Sequence, residues 1–588
     1  MPGRYKQQMR GLARSMPRPF SALRDVFREG YKSSDLRSDL MAGLVVAMVA
    51  IPLSMALAIA SGVPPQMGLY TAVIAGGAVA LLGGSRFQVT GPTAAFVVIL
   101  LPIVHRFGPA GLLMAGLLAG ILLILMGVMR MGRLIQFIPH PVTTGFTSGI
   151  AVVIATLQIK DFLGLQMDIM PDHYLDRLGA LILALPTFSL AECAVGTFTL
   201  ILLIVWPRLS KKIPAPLIAL TAAAVAAVFA EKFVPGFQVA TIGSRFSFEV
   251  NGLLTHGIPQ TAPVFHTPWT LPGPGGQPLP LTWETLEALL PSAFAIAMLG
   301  AIESLLSAVV ADGMGGTRHD PDAELLALGT GNLLCPFFGG IPATGAIART
   351  AANIRFGAKS PVAAFSHALF ILVAVLTVAP LISYLPMASL AALLMVVAYN
   401  MSEVKHFKHI LRVAPKSDVA VLLTCFGLTV LFDMVKGVSV GIVLAAFLFL
   451  RRMAALSSGR ALSASSHGGT IPDPLPKGVL VYEIAGPLFF GAAEQAVRSL
   501  ELVEKHVRVL VFLMEDVPAM DITGLVALES AVEDLIRNGQ RAFFVGVRPQ
   551  PATVMRRSPS FKDPSKTLFF PTLPHALAAA SQEQKENE

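Results

Sequence analysis

Between Met41 and Leu450 the chain reads as one apolar run after another, most close to the roughly 20 residues that cross a bilayer as a helix. Spans are predicted at 41–60, 68–83, 92–104, 110–129, 142–163, 189–206 and 214–231, then at 288–311, 324–338, 347–356, 361–381, 387–402, 418–434 and 437–452, fourteen in all. Two of them, 92–104 and 347–356, are too short to cross. Each follows strand-like or turn-like residues, Phe87-Gln88-Val89-Thr90-Gly91 in one case and Ile341-Pro342-Ala343-Thr344-Gly345 in the other. The two short elements lie about 255 residues apart, and spans 1 and 8, like spans 4 and 11, are about 250 apart. An offset held over three landmarks predicts two repeats of seven spans. Because seven is odd, the second repeat is inverted. Short apolar segments broken by Gly or Pro at matching places in two halves point to a transporter's binding site.

After Arg452 the pattern changes. Ser457 to Lys477 has the Ser, Gly and Pro content of a linker. Strands are predicted at 479–484, 509–514 and 542–547, and helices at 492–506, 524–536 and from Leu573, with a frayed polar end at 582–588. Strands alternating with helices of this length predict a small α/β domain. The expected organisation is a basic cytoplasmic N-terminus (1–38), a transmembrane domain (39–455) with a periplasmic loop (232–285), a linker (456–477) and a cytoplasmic α/β domain (478–588).

Composition supports a membrane protein. Of 588 residues 54% are apolar and 14% charged, against about a quarter charged in soluble proteins. Residues 1–38 hold nine Lys/Arg against three acidic residues, and Arg451 and Arg452 close the last apolar run. Basic flanks mark the cytoplasmic side, so both termini are expected there, with an even number of spans. Residues 250–283 contain no Lys, Arg, Asp or Glu and seven prolines, which suits a periplasmic loop. The basic N-terminal region is too long for a cleavable signal peptide. The net charge of +8 follows from these flanks and calls for no nucleic acid. Cys193, Cys335 and Cys425 are scattered, matching neither a metal site nor an obvious disulfide. With no P-loop, metal-ligand cluster or Ser/His/Asp arrangement, neither an enzyme nor a bound cofactor or metal is expected. The motor is an ion gradient, or the movement is passive.

The chemistry is expected where the two short elements begin. A helix N-terminus presents unpaired N–H groups and about half a positive charge, a ready anion site. Thr90-Gly91-Pro92-Thr93 reads as one such start: proline suits the first turn, glycine allows close approach, and the threonine hydroxyls can cap or bind. Ala346-Ile347-Ala348-Arg349 reads as the other. A cation in a first helical turn opposes the macrodipole, and a charge at membrane depth costs at least about 2.5 kcal/mol. A bound anion relieves both penalties at Arg349; the plainer alternative is an arginine paired structurally or reaching the surface. Glu303, in the middle of span 8, is subject there to the opposing influences of burial and a neighbouring arginine. It is the candidate proton- or ion-coupling residue, the alternative being a fixed partner of Arg349. Ser307, one turn later on the same face, is expected to help line the site. Ser54, after Pro52 in span 1, is a further candidate because proline frees backbone groups there. Lys160-Asp161 and Asp433 with Lys436 sit at span ends, where mutual pairing or interfacial exposure is expected. His367 reads as a satisfied packing histidine.

Several stretches carry a family likeness. Ala50-Ile51-Pro52-Leu53-Ser54-Met55-Ala56-Leu57-Ala58, Gly68-Leu69-Tyr70-Thr71 and Thr90-Gly91-Pro92-Thr93-Ala94-Ala95 resemble the sulfate permease (SulP) family. Asp516-Val517-Pro518-Ala519-Met520-Asp521-Ile522-Thr523-Gly524 is similar to the motif of the STAS domain that ends those transporters. The likeness runs from about residue 38 to 580. Residues 91–100, 158–167 and 301–306 most resemble the bacterial C4-dicarboxylate carriers of that family.

The resemblance implies a seven-plus-seven inverted-repeat fold with core and gate domains, a substrate held between half-helices 3 and 10, and an elevator-like motion. It also implies proton-coupled uptake of succinate, fumarate or aspartate across the bacterial inner membrane, and a homodimer. A cytoplasmic regulator is the expected partner of the STAS domain. Alternatives are sulfate or sodium-coupled bicarbonate as cargo, a passive anion channel, and a signalling scaffold in which the spans only anchor the STAS domain. Two departures stand out. Many relatives have Ser where this chain has Ala348, so only a backbone N–H remains there. Anti-sigma-factor antagonists read Asp-Ser-Ser-Gly where this chain has Asp521-Ile522-Thr523-Gly524; Thr523 is the candidate phosphate acceptor, the alternative being a helix-cap role.

Overall fold

The computed structural model describes residues 19–133, 138–167, 170–210, 213–250, 253–273, 276–455, 457–462, 475–489 and 507–587. It divides into two units, Met1–Ile442 and Val443–Glu588.

The first unit is helical. Its first half comprises α1 (Ser21–Glu29), α2 (Ser33–Ala60), α3 (Pro65–Leu82), β1 (Thr90–Gly91), α4 (Ala94–Val128), α5 (His140–Leu163), α6 (Tyr174–Ala184), α7 (Leu190–Leu209) and α8 (Ala215–Phe233). A hairpin, β2 (Ser247–Val250) and β3 (Leu253–His256), lies in the connection to the second half. There follow α9 (Trp283–Gly315), α10 (Pro321–Leu334), β4 (Thr344–Gly345), α11 (Ile347–Arg355), α12 (Pro361–Ile382), α13 (Met387–Met401), α14 (Val404–Val413) and α15 (Lys416–Leu431), and α16 (Met434–Ala455) continues from this unit into the second. Among the described residues, ten helices are long and apolar enough to cross a membrane.

Every predicted span falls on a helix, with two differences. The first span begins earlier, at Ser33, where the carboxylate of Asp35 accepts a hydrogen bond from the Lys32 N–H at 3.0 Å. Segments 92–104 and 110–129 form one element, α4, broken only at Gly108 (φ 68°, ψ −178°). That backbone geometry belongs almost solely to glycine. The basic helix α14 and the short amphipathic α6 have no counterpart among the predicted spans.

The order α2, α3, β1, α4 recurs as α9, α10, β4, α11, α12. The two strands pair antiparallel, Thr90 opposite Gly345 and Gly91 opposite Thr344, so the same Thr-Gly dipeptide crosses itself head to tail, as inverted repeats require. Helices α4 and α10 cross closely. A methyl group on Gly120 would come within 2.6 Å of Leu333 N, and one on Gly329 within 2.7 Å of Ile124 N. Such crossings hold membrane helices together by packing, since lipid supplies no hydrophobic drive. Buried carboxylates tie the turns: Asp39 accepts from Tyr31 Oη (2.7 Å), Lys359 N (2.6 Å) and Ser360 Oγ (2.5 Å), and Glu324 from Gly84 N (2.9 Å) and Ser85 N (3.1 Å).

In the second unit the described strands order as β5 (Ser458–Leu462), β6 (Val479–Ala485), β7 (Val509–Leu513), β8 (Arg541–Val545) and β9 (Thr567–Phe570). The first pair is antiparallel and the rest are parallel. Helices α17 (Ile522–Arg537), α18 (Pro549–Met555) and α19 (Leu573–Asn587) follow in the same unit. One core gathers Phe512, Phe544 and Leu528, a second Phe543, Val511 and Leu577. Strand β5 lies inside the expected linker 456–477, so that stretch already contributes to the sheet, pairing along β6 from Ser458 opposite Ala485. The end expected to fray is helical through Asn587. The helix predicted at 492–506 lies outside the described residues.

Candidate anion-binding site

Thr93 and Ala346 are the residues just before α4 and α11, and both are extended. Neither helix start is capped by a side chain, so the N–H groups of both first turns keep their hydrogen-bonding capacity. Both starts line one chamber of about 290 Å³, to which Pro92, Thr93, Ala94 and Ala95 contribute on one side and Gly345 to Arg349 on the other. The two-rung ladder between β1 and β4 holds them together, reinforced by Ala346 N donating to Val89 O at 2.9 Å and Val89 N donating to Thr350 Oγ1 at 3.0 Å.

Arg349 is 2% exposed. Its Nη2 donates to the carbonyl of Pro92, whereas Nε and Nη1 have no partner among the described residues. A buried guanidinium with two unmet donors in a chamber is a strong signal for an anion, because unmet charged donors are costly. Glu303 faces the same chamber from α9 and accepts a hydrogen bond from Thr93 Oγ1 at 2.9 Å. The chamber thus sets cationic donors beside the carboxylate of Glu303.

Of the other expected site residues, Ala348 lines the chamber beside Arg349. Thr90 and Gly91 form the ladder; Thr90 Oγ1 is buried without a partner among the described residues, and Gly91 lies against the guanidinium. A methyl group at Gly91 would stand 2.6 Å from Arg349 Nη1. Ser307 is buried and donates to Thr350 Oγ1 at 3.1 Å, away from the chamber wall. Ser54 is also buried and away from it: α2 presents Leu53 and Leu57 instead.

Several polar residues differ from expectation. His367 is fully buried, with both ring nitrogens unpartnered among the described residues. Lys160 donates to Met167 O at 2.7 Å and Asp161 pairs with Arg245 at 2.5 Å, rather than with each other. Asp433 and Lys436 do pair, at 3.1 Å. In the second unit Asp521 caps α17 by accepting from Gly524 N at 2.8 Å, leaving Thr523 exposed in the first turn.

The rest of the chamber lining, Thr147 on α5 and Val397, Asn400, Met401 and Glu403 around the end of α13, was not anticipated. Its sequence reads as ordinary apolar span, and the polar break at Asn400 to Glu403 is the one cue. A larger cavity of about 620 Å³ between α2, α8 and α12 has no charged side chain in its lining and offers no anion chemistry.

Residues 36–425 match the Sulfate permease family and residues 471–576 the STAS domain. The chain is 41% identical over 516 residues to YvdB of Bacillus subtilis (strain 168), a candidate sulfate transporter, covering 88% of this chain and 92% of that protein. It is 28% identical to the bicarbonate transporter BicA of Picosynechococcus sp., covering 87% of this chain and 89% of BicA. The fold matches the murine anion transporter Slc26a9 with a TM-score of 0.81 at 18% identity, over 96% of this chain and 94% of that one. The transmembrane domain of a cyanobacterial BicA superposes with a TM-score of 0.58 at 26% identity, over 71% of this chain and 98% of that one. The chain is a multi-pass membrane protein of the sulfate permease family of anion transporters, carrying a STAS domain after its last apolar helix.

Proposed function

We propose that the protein is a secondary active transporter of the bacterial inner membrane that takes up C4-dicarboxylates such as succinate, fumarate and aspartate together with protons. The observation that carries this reading is the chamber itself: two uncapped helix starts and the free donors of Arg349 stand beside the carboxylate of Glu303. With Glu303 protonated, the electropositive wall attracts the dianion. Loss of the proton inside restores the negative carboxylate and weakens the hold. Leu53, Leu57, Ala94, Ala95, Val397 and Met401 make much of the lining apolar, which suits a cargo with a hydrocarbon spacer between its charges. Pro92, Thr93, Ala348 and Arg349 bind the substrate in this reading, with Thr90 and Gly91 holding the geometry. Both termini are cytoplasmic, the protein works as a homodimer, and the half-helices carry the substrate in an elevator-like motion. The STAS domain engages a cytoplasmic regulator, with Thr523 as its phosphate acceptor: exposed in the first turn of α17, it would place phosphate where the helix dipole favours it.

A second reading takes sulfate as the cargo. The 41% identity to a candidate sulfate transporter favours it.

Radiolabelled succinate uptake into proteoliposomes under an imposed pH gradient, with sulfate and bicarbonate as competitors, tests both. Gradient-stimulated succinate uptake that sulfate leaves unchanged supports the first reading; sulfate uptake that succinate leaves unchanged supports the second. Glu303→Gln is expected to abolish stimulation by the gradient while leaving exchange of anion for anion. Stimulation equal to wild type in this variant would remove Glu303 from the coupling.

A further inference from the structure

Glu403 lines the same chamber as Arg349, at the corner between α13 and α14. Three things about it are locally unfavourable. It places an acidic residue at the wall of a chamber that offers anion-binding donors, where like charges repel. Its backbone is left-handed (φ 41°, ψ 44°), a conformation that costs free energy for any residue with a side chain. Its side chain is exposed and has no hydrogen-bond or ion-pair partner among the described residues, so no local contact compensates. It does not cap α14 either. A residue that breaks local rules without structural compensation is where function is to be sought. The helix that follows carries Lys405, Lys408 and Arg412, the basic flank of a cytoplasmic end.

We infer that Glu403 is the release residue: from the cytoplasmic mouth its carboxylate repels the bound anion, weakening binding from inside and speeding departure. This rests on the anion-transport reading above. The helix starts and Arg349 belong to α4 and α11 and Glu403 to the corner between α13 and α14, so movement of one pair of elements past the other brings cargo and carboxylate together in only one of the two access states. The repulsion therefore acts on one side of the membrane alone.

The test compares uptake of radiolabelled succinate, with radiolabelled sulfate in a parallel arm, by intact cells and by inverted membrane vesicles carrying the full-length protein. Glu403→Gln is expected to lower the half-saturating concentration on the order of tenfold in inverted vesicles, leave it unchanged in intact cells, and reduce the maximal uptake rate because release slows. Glu403→Asp restores the wild-type pattern. Glu403→Gly, which relieves the strained backbone while removing the charge, behaves like Glu403→Gln. An unchanged half-saturation, or an equal shift on both sides, overturns the inference, as does a common loss of transport in the Gln and Asp variants, which would give Glu403 a packing role. Wild type that moves neither anion in either preparation sinks the transport reading itself, and the role of Glu403 with it.

Discussion

At the scale of single residues, the site depends on where one guanidinium is held. Arg349 is fixed by the Pro92 carbonyl and by the bare face of Gly91. A methyl group there would meet Nη1 at 2.6 Å and push the guanidinium off its place, while the ladder of β1 and β4, a backbone feature, persists. Gly91→Ala is therefore expected to lower initial uptake by at least tenfold, as misplacement of about 1 Å can cost a hundredfold in positioning, with little change in the thermal unfolding of the detergent-solubilised protein. A large drop in melting temperature would show instead that Gly91 serves packing. Arg349 and Glu303 were legible in sequence because a charge inside an apolar run is costly enough to need a reason. Ser54 illustrates the limit: a serine two residues after a proline carries no signal for which side of the helix it takes, and it is Leu53 and Leu57 that line the chamber.

At the scale of elements, the break in α4 sets the length of the first half-helix. Gly108 takes φ 68° and ψ −178°, and a methyl group there would press within 2.9 Å of the Gly273 backbone. Gly108→Ala should destabilise the protein by about 1–3 kcal/mol, read as a lower melting temperature in detergent; an unchanged melt would mean that the break is soft. Long apolar runs made the spanning helices legible, their ends falling within a few residues of the predicted ones at most positions. The elements that sequence reasoning missed share a physical cause. Helices α6 and α14 have 11 and 10 residues, and β5 is a five-residue strand with an exposed, polar pattern, so none carries an apolar run of spanning length. Glu403 escaped notice for the same reason: an acidic residue at a span end reads as interfacial until the chamber behind it is seen.

At the scale of the whole molecule, the two units have separate cores. The sheet unit packs Phe512, Phe544 and Leu528 around one face and Val511, Phe543 and Leu577 around the other, while every residue lining the chamber belongs to the first unit. A chain ending at Ala455 is thus expected to retain gradient-driven uptake in proteoliposomes, with any change confined to its regulation. Complete loss of uptake by such a chain, still monodisperse in detergent, would make the second unit part of the transport machinery.

The crossing of β1 and β4 sets Thr90-Gly91-Pro92-Thr93-Ala94-Ala95 against Thr344-Gly345-Ala346-Ile347-Ala348-Arg349 about a near dyad. Arg349 then corresponds to Ala95, and the dyad is broken at that pair alone among the charged positions of the two segments. Such a cradle has a strong end and a weak end. An elongated guest with two acidic groups, as in the proposed reading, would lodge one of them against the guanidinium and leave the other to backbone dipoles, so the cradle would impose a polarity on a molecule as symmetric as succinate. Under the proposed dicarboxylate reading, selectivity would be unequal along the guest: the group at the strong end must be anionic, whereas the distal group would tolerate replacement.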